Sequence, residues 1–152
     1  MIILVDTREQ LPYWPNNRAT LVVGDYTTQK LLNKFHIERK SLQDLYGTLT
    51  SGNNRFKYEL FRAAYHCIRI EVYVEGSRVD FINKNFPKGD ERKFSTDGLD
   101  RLVKTFERKY HLTFHWCRDR RQAKKLVADR LATEEQKPLK ASNKPKNGLK
   151  IK

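Results

Sequence analysis

The distribution of apolar residues along the chain predicts alternating strands and helices. Residues 2–5 form a continuous apolar run that is typical of a strand buried on both faces, and a charged segment follows it directly. Residues 21–23 are apolar, residues 26–28 are rich in β-formers and residues 35–37 end the pattern with Phe and Ile, as in two further strands. The short connection between them favours an antiparallel hairpin.

Apolar side chains at helical spacing follow the hairpin, and Ser41 is placed to cap the first of these helices. The polar stretch 83–96, with Pro87 and Gly89, is expected to be a loop. The alternation of elements predicts an α/β protein with a central mixed β-sheet flanked by helices. The predicted elements after the hairpin are helices over 41–49, 56–68, 99–110 and 120–132, and strands over 70–76 and 112–116.

Two carboxylates and a lysine lie on the predicted hairpin. Residues two apart in a strand share a face, so Glu38 and Lys40 point one way and Arg39 points the other. Depending on the length of the turn, Asp25 lies opposite Glu38 or opposite Lys40. Either register puts Asp25, Glu38 and Lys40 on one face of the hairpin.

Such a set of side chains suits a hard divalent cation. Mg²⁺ or Mn²⁺ takes oxygen ligands and keeps several waters, so two converging carboxylates with an open side toward a phosphate fit it. The ion acts as a Lewis acid and helps to generate hydroxide. Because short acidic and basic spacings are common, solvated hairpin carboxylates beside a surface lysine are the alternative interpretation.

The order of these residues resembles a known family. Residues 5–9 (Val-Asp-Thr-Arg-Glu), Gly24-Asp25, residues 38–40 (Glu-Arg-Lys) and Asp44 resemble the signature of the nuclease domain of XPF-type structure-specific endonucleases. The likeness covers roughly residues 1–135. It implies a restriction-endonuclease-like core that uses a divalent metal to cut DNA near branch points, leaving a 5′ phosphate.

The family motif leads to a hypothesis for the roles of the central residues. Asp25 and Glu38 would bind the metal, with the backbone carbonyl of Arg39 as a further oxygen ligand. Lys40 would position the attacking water or stabilise negative charge at the scissile phosphate.

The remaining motif residues receive supporting roles. Asp6 and Glu9 would complete the acidic cluster, although Asp6 could instead accept hydrogen bonds from a neighbouring turn. Arg8 and Arg39 point to charge compensation: one would pair with Asp6 or Asp44 and the other would reach phosphate, and a purely structural salt bridge is equally compatible with Arg39. Asp44 could also act only through the dipole of its helix.

Contacts to DNA are predicted on the helix that begins near Asn54. Arg55, Lys57 and Arg62 are the candidates for the DNA backbone, and a solvated helix face explains them equally well. Tyr26 is the candidate for stacking on an unpaired base, although a packing role is the commoner fate of such tyrosines.

Composition supports an anionic partner and one globular domain. The 152 residues carry a net charge of +13, which favours nucleic acid. Residues 136–152 contain six lysines and no acidic residue, so we expect a nuclease domain over 1–135 and a basic, disordered tail over 136–152. No apolar run is long enough to span a membrane or to form a signal peptide, so an intracellular location is expected. Cys67 and Cys117 are expected to be reduced core residues.

The sequence therefore predicts a divalent-metal-dependent DNA endonuclease acting on branched or flap-like DNA. The alternative is a catalytically silent module with the same fold that binds a DNA junction or a partner protein. The resemblance also implies pairing through the nuclease domain, so a homodimer is an expectation. Many members of the family that the chain resembles carry tandem helix-hairpin-helix repeats after the nuclease domain, and we expect none here, which leaves the junction preference unassigned.

Overall fold

The computed structural model describes residues 1–138, which form one six-stranded sheet with helices on both faces. This confirms the predicted α/β class. The strands are β1 (Ile3–Asp6), β2 (Arg18–Ala19), β3 (Tyr26–Thr28), β4 (Phe35–Ser41), β5 (Arg69–Glu75) and β6 (Thr113–Trp116). The helices are α1 (Leu42–Leu49), α2 (Asn53–Tyr65), α3 (Arg78–Ile82), α4 (Thr96–Lys109) and α5 (Arg120–Glu135), with short 3₁₀ turns at Gln29–Leu31 and Gly89–Glu91.

The sheet is mixed, with the strand order β2-β1-β3-β4-β5-β6. β3 runs antiparallel to both of its neighbours, whereas β4, β5 and β6 run parallel to one another, and β1 runs parallel to β2. The long central strand β4 therefore has the hairpin on one side and the parallel half of the sheet on the other. This position places the Glu-Arg-Lys motif in the middle of the sheet.

Two hydrophobic cores cover the two faces of the sheet. Val72 and Val74 of β5 pack with helices α1, α2, α3 and α4, while Tyr73 packs with α5 on the opposite face. Ile37 of β4 belongs to the α5 core, so its neighbour Glu38 faces the α1 and α2 side. The alternation predicted for β4 thus decides which motif side chains face the same layer.

The hairpin adopts the register in which Asp25 lies opposite Glu38. Tyr26 pairs with Ile37, and one further step along the two strands brings Asp25 beside Glu38. The connection between the strands includes a 3₁₀ turn rather than a tight turn. The apolar residues 21–23 precede the strand as irregular chain instead of extending it, and Gly24 follows them with a φ of 71°.

The predicted helices and strands after the hairpin are present within about three residues at each end. The short helix α3 and the two-residue strand β2 were not predicted. β1 is less buried than expected, since Ile2 is exposed and only the end of the strand is fully enclosed. Cys117 is buried, but the prediction for Cys67 was wrong because the chain turns there with a φ of 56° and leaves it exposed.

Apart from its first three residues, the predicted basic tail lies outside the residues that the structure describes. None of the helices in residues 1–138 has the length and apolar character needed to cross a bilayer.

Candidate active site

A polar cleft of about 480 Å³ opens where β1, the start of β3 and the end of β4 meet. Asp25, Glu38 and Lys40 all line it, so the three side chains that the sequence places on one face share one cavity. The other residues around the cleft are Asp6, Arg8, Glu9, Gln10, Leu11, Gly24, Arg39, Asp44 and Glu59.

Asp25 is held in place by backbone groups of both neighbouring strands. Its N–H donates to the Ile37 carbonyl over 2.8 Å, and its own carbonyl accepts from the Asp6 N–H over 2.8 Å. Oδ2 of its carboxylate accepts from the Arg39 N–H over 2.7 Å. Gly24 makes this approach possible, because its φ of 71° strains other residues and a Cβ there would lie 3.1 Å from the Ile37 oxygen.

In the absence of a further cation, the pKa values of both carboxyl groups lie above their ordinary range. Burial, followed by the nearby charge of Glu9, raises the pKa of Asp25 to about 7. Burial and then the charge of Asp25 raise the pKa of Glu38 well above its ordinary value. Lys40 is the nearest positive partner, with Nζ 3.4 Å from Oε1 of Glu38.

The donor set fits one hard cation with few protein ligands. Mg²⁺ is commonly bound by one or two carboxylates and otherwise by waters and phosphate oxygens. Within residues 1–138 no group of three or more His, Cys, Asp or Glu side chains is arranged to hold a metal, so a metal here would rest on the Asp25 and Glu38 pair. In a strand, the N–H and C=O of one residue point toward the same neighbouring strand. The Arg39 N–H points toward Asp25, so the Arg39 carbonyl points to that side of β4 as well.

Asp6 is fully engaged in local hydrogen bonds. Its carboxylate accepts from Nε and Nη2 of Arg8, over 2.8 and 3.1 Å, and from the backbone N–H groups of Arg8 and Leu21. Burial alone would raise the pKa of Asp6, but these hydrogen bonds outweigh it and the pKa lies below its ordinary value. Arg8 is therefore the arginine that pairs with Asp6, and Asp6 shapes the turn beside the cleft.

Arg39 lies in a buried ion cluster on the opposite face of β4 from Lys40. Its guanidinium contacts Glu9 over 3.1 Å and Glu75 over 2.6 Å, and all three side chains are at most 10% exposed. Burial opposes the charge of Arg39, but the hydrogen bond to Glu9 and the two carboxylates raise its pKa above the ordinary value. The Arg39 side chain thus ties β4 to the segment after β1 and to the end of β5.

A second cavity of about 710 Å³ continues from the cleft along the start of α2. Lys40, Asp44 and Glu59 line both cavities, so the two form one continuous groove. Arg55 and Arg92 line the second part, and Nε of Arg92 is buried with no hydrogen-bond partner among the described residues. Asp44 is exposed in the first turn of α1, where its N–H donates to the capping hydroxyl of Ser41.

Only one of the predicted DNA-contact residues lines the groove. Arg55 lines the second cavity, whereas Lys57 and Arg62 line neither part of the groove. The prediction for Tyr26 was wrong: its side chain is fully buried, stacks on Tyr13 and accepts a hydrogen bond from the Tyr13 N–H. A side chain enclosed in this way has no face free for a base.

Two acidic residues of the site were missed from the sequence. Glu59 follows Arg55 by four residues, so helical spacing places both toward the groove, which was the available signal. Glu75 ends β5 and accepts from the Tyr13 hydroxyl over 2.7 Å as well as from Arg39. Nothing in its local sequence indicates a partner on β4.

Comparisons with known proteins agree with this architecture. XPF from Aeropyrum pernix is similar in structure, with a TM-score of 0.67 and 18% identity over 89% of this chain and 65% of that one. XPF from Aeropyrum pernix in complex with DNA gives a TM-score of 0.62 and 21% identity over 87% of this chain and 64% of that one. The chain thus spans slightly less than two thirds of each structure.

No curated protein matches in sequence. The ERCC4 domain, in contrast, matches residues 5–129, which include every residue of the cleft and all but the last six residues of α5. The shared sheet, in which the motif-bearing hairpin is joined to a parallel half, is the restriction-endonuclease-like fold. The chain belongs to the ERCC4 domain family.

Proposed function

We propose that this protein is a divalent-metal-dependent DNA endonuclease that hydrolyses phosphodiester bonds. The observation that carries the proposal is the meeting of Asp25, Glu38 and Lys40 in one cleft. Burial and then the charge of Glu9 raise the pKa of Asp25, and burial and then the charge of Asp25 raise the pKa of Glu38. A bound cation would relieve the repulsion between these charges. Membership of a nuclease family supports the same reaction class.

Mg²⁺ or Mn²⁺, when bound by Asp25 and Glu38, supplies Lewis-acid chemistry and lowers the pKa of water. The chain itself supplies position and charge. Lys40 holds its ammonium beside Glu38, where it can orient a water or stabilise charge on the phosphate. Arg55 and Arg92 present positive charge farther along the groove, where a neighbouring backbone phosphate would lie.

Branched or flap-like DNA is the proposed substrate. A structurally similar XPF has been solved in complex with DNA, and the net charge of +13 gives this chain the electrostatics for a polyanionic partner. Pairing of two copies through this domain is part of the same proposal and is testable by mass measurement in solution.

A cleavage assay tests the proposal. Labelled flap, fork, three-way and linear DNA are incubated with Mg²⁺, Mn²⁺ or EDTA, using wild type, Glu38→Gln and Asp25→Asn. We expect metal-dependent product from branched DNA and a loss of at least about 100-fold in either variant, since each removes a charge worth several kcal/mol to the transition state. Glu91→Gln, an exposed carboxylate that lines neither part of the groove, is the matched control.

Two results would contradict the proposal. Equal product from Glu38→Gln would mean that the assigned ligands are wrong. Fork binding without metal-dependent product, in wild type as well as in the variants, would favour the silent DNA-junction module instead. The carboxylate pair weighs against that module, because unneutralised acids facing phosphates lower affinity for DNA.

A further inference from the structure

Helix α2 carries three strongly exposed aromatic side chains. Tyr58, Phe61 and Tyr65 are 72, 62 and 84% exposed, and the two tyrosines are the most exposed large apolar side chains of the described residues. We call these three residues the aromatic ridge. Exposed apolar side chains lower the solubility of a protein, so an exposed cluster of this kind points to a binding role.

The ridge lies on the side of α2 that faces away from the core. Phe56, Leu60 and Ala63 are the buried residues of the helix, and they pack against the sheet. At 100° per residue, Tyr58 and Tyr65 lie almost opposite this buried face. Phe61 lies to one side, where its ring packs edge-to-face with Tyr110 at a distance of 6.3 Å between the ring centroids.

A row of arginines separates the ridge from the groove. Arg55 and Arg62 are seven residues apart and therefore lie on the same side of α2, between the outward ridge and the groove-facing Glu59. Both arginines are exposed, and Arg55 lines the groove. A strand that leaves the groove over α2 would meet positive charge first and aromatic rings next.

We propose that the aromatic ridge stacks on the unpaired bases of a single-stranded DNA segment that leaves the groove, with Arg55 and Arg62 on its phosphates. The proposal rests on the proposed function and specifies its substrate: DNA with a single-stranded arm next to the scissile bond. Aromatic side chains beside a positively charged track are the recurring arrangement for single-strand binding, because every base offers a π-face. Bases stacked inside a duplex offer no such face.

The charges around the aromatic ridge favour DNA over a second copy of this chain as its binding partner. A two-fold interface brings the same patch of both subunits together. By helical spacing, Arg55 and Arg62 flank the ridge on one side and Lys57 on the other, so pairing two ridges would bring these like charges close together. A polyanion neutralises the same charges and leaves the rings free to stack.

DNA binding in EDTA tests the ridge without any need for cleavage. Fluorescence anisotropy is measured with a labelled oligo-dT strand and with a labelled blunt hairpin duplex. For Tyr58→Ala/Tyr65→Ala we expect the affinity for oligo-dT to fall at least about tenfold and that for the duplex to change less than about twofold. Tyr58→Phe/Tyr65→Phe keeps both rings and should restore oligo-dT binding. Val79→Ala removes an exposed apolar side chain from α3 and is the distant control.

If the alanine variant loses affinity for oligo-dT and duplex equally, or for neither, the proposed role of the ridge is overturned. A shift from dimer to monomer in the alanine variant, measured by light scattering, would overturn it as well, because the ridge would then be a subunit interface. The outcome is independent of the nuclease assay. Loss of oligo-dT binding with an inactive wild type would overturn only the proposed reaction, whereas active wild type with unaffected oligo-dT binding would overturn only the ridge.

Discussion

At the scale of single residues, the active-site carboxylates work against the stability of the metal-free fold. Glu38 is only 7% exposed, and Asp25 is the acidic residue whose charge acts most strongly on it. Lys40 is the cation that contacts Glu38, and it does so at 3.4 Å. One ammonium beside two buried carboxyls leaves negative charge that a proton or a metal ion must neutralise.

The raised pKa values predict how stability depends on pH. A carboxyl whose pKa is raised by folding contributes most below its ordinary pKa near 4 and loses that contribution as pH rises through the folded pKa, about 7 for Asp25. Metal-free wild type should therefore be less stable at pH 8 than at pH 5. Glu38→Gln removes one of the two charges, so it should gain about 1–3 kcal/mol at pH 8, or several degrees in Tm, and little at pH 5.

Thermal unfolding in EDTA at both pH values measures this effect, with Glu91→Gln as the control. An identical pH dependence in wild type and Glu38→Gln would contradict the assigned pKa shift. Mg²⁺ added at pH 8 should raise the Tm of wild type more than that of Glu38→Gln, because a ligand stabilises only the state that binds it.

At the scale of elements, hydrophobic periodicity and the family motif were enough to predict the main strands, the helices and the faces of β4. Features that depend on contacts between segments far apart in the sequence were missed. The strand alternation along β4 was enough to place Glu38 and Lys40 on one face. Helix α3 has only five residues, too few for a periodic signal. Tyr26 resembles a surface hairpin tyrosine in sequence, and only the packing of Tyr13 onto it shows that the ring is enclosed. The ion pair of Arg39 with Glu75 likewise joins segments 36 residues apart.

That ion cluster predicts a structural role for the Arg39 side chain. Arg39→Met keeps much of the volume but leaves Glu9 and Glu75 buried without their shared cation, so the free energy of unfolding should fall by about 3 kcal/mol or more. Urea unfolding measures the loss. Arg78→Met is the matched control, because the half-exposed pair of Arg78 with Asp100 is screened by solvent and should contribute far less to stability.

The backbone of residue 39 is unchanged in this variant, so its N–H can still contact Asp25. A variant with wild-type stability and impaired cleavage would contradict the structural role and would assign the guanidinium to a substrate phosphate. A loss of stability as large in Arg78→Met would show that burial does not distinguish the two pairs.

At the scale of the whole molecule, positive charge is spread over both the folded domain and the C-terminal segment. Six of the net thirteen positive charges belong to residues 136–152, which leaves about seven on residues 1–135. The groove itself is acidic at its Asp25 and Glu38 end and basic toward Arg55 and Arg92. In the proposed function, attraction to DNA would therefore come mainly from outside the Asp25 and Glu38 end of the groove, from the arginines of α2 and from the lysines of residues 136–152.

This distribution predicts that DNA affinity falls steeply with salt concentration. Residues 1–135 and residues 136–152 should both contribute to that dependence. Each neutralised phosphate contributes about 0.7 to 0.9 to the slope of log affinity against log salt. Ending the chain after Pro138 removes five lysines but keeps Lys137, which contacts Glu134 at the end of α5. Anisotropy titrations in EDTA between about 50 and 200 mM salt should then give a shallower slope for the shortened chain. An unchanged slope would show that those lysines do not contact phosphate and that the folded domain supplies the whole electrostatic term.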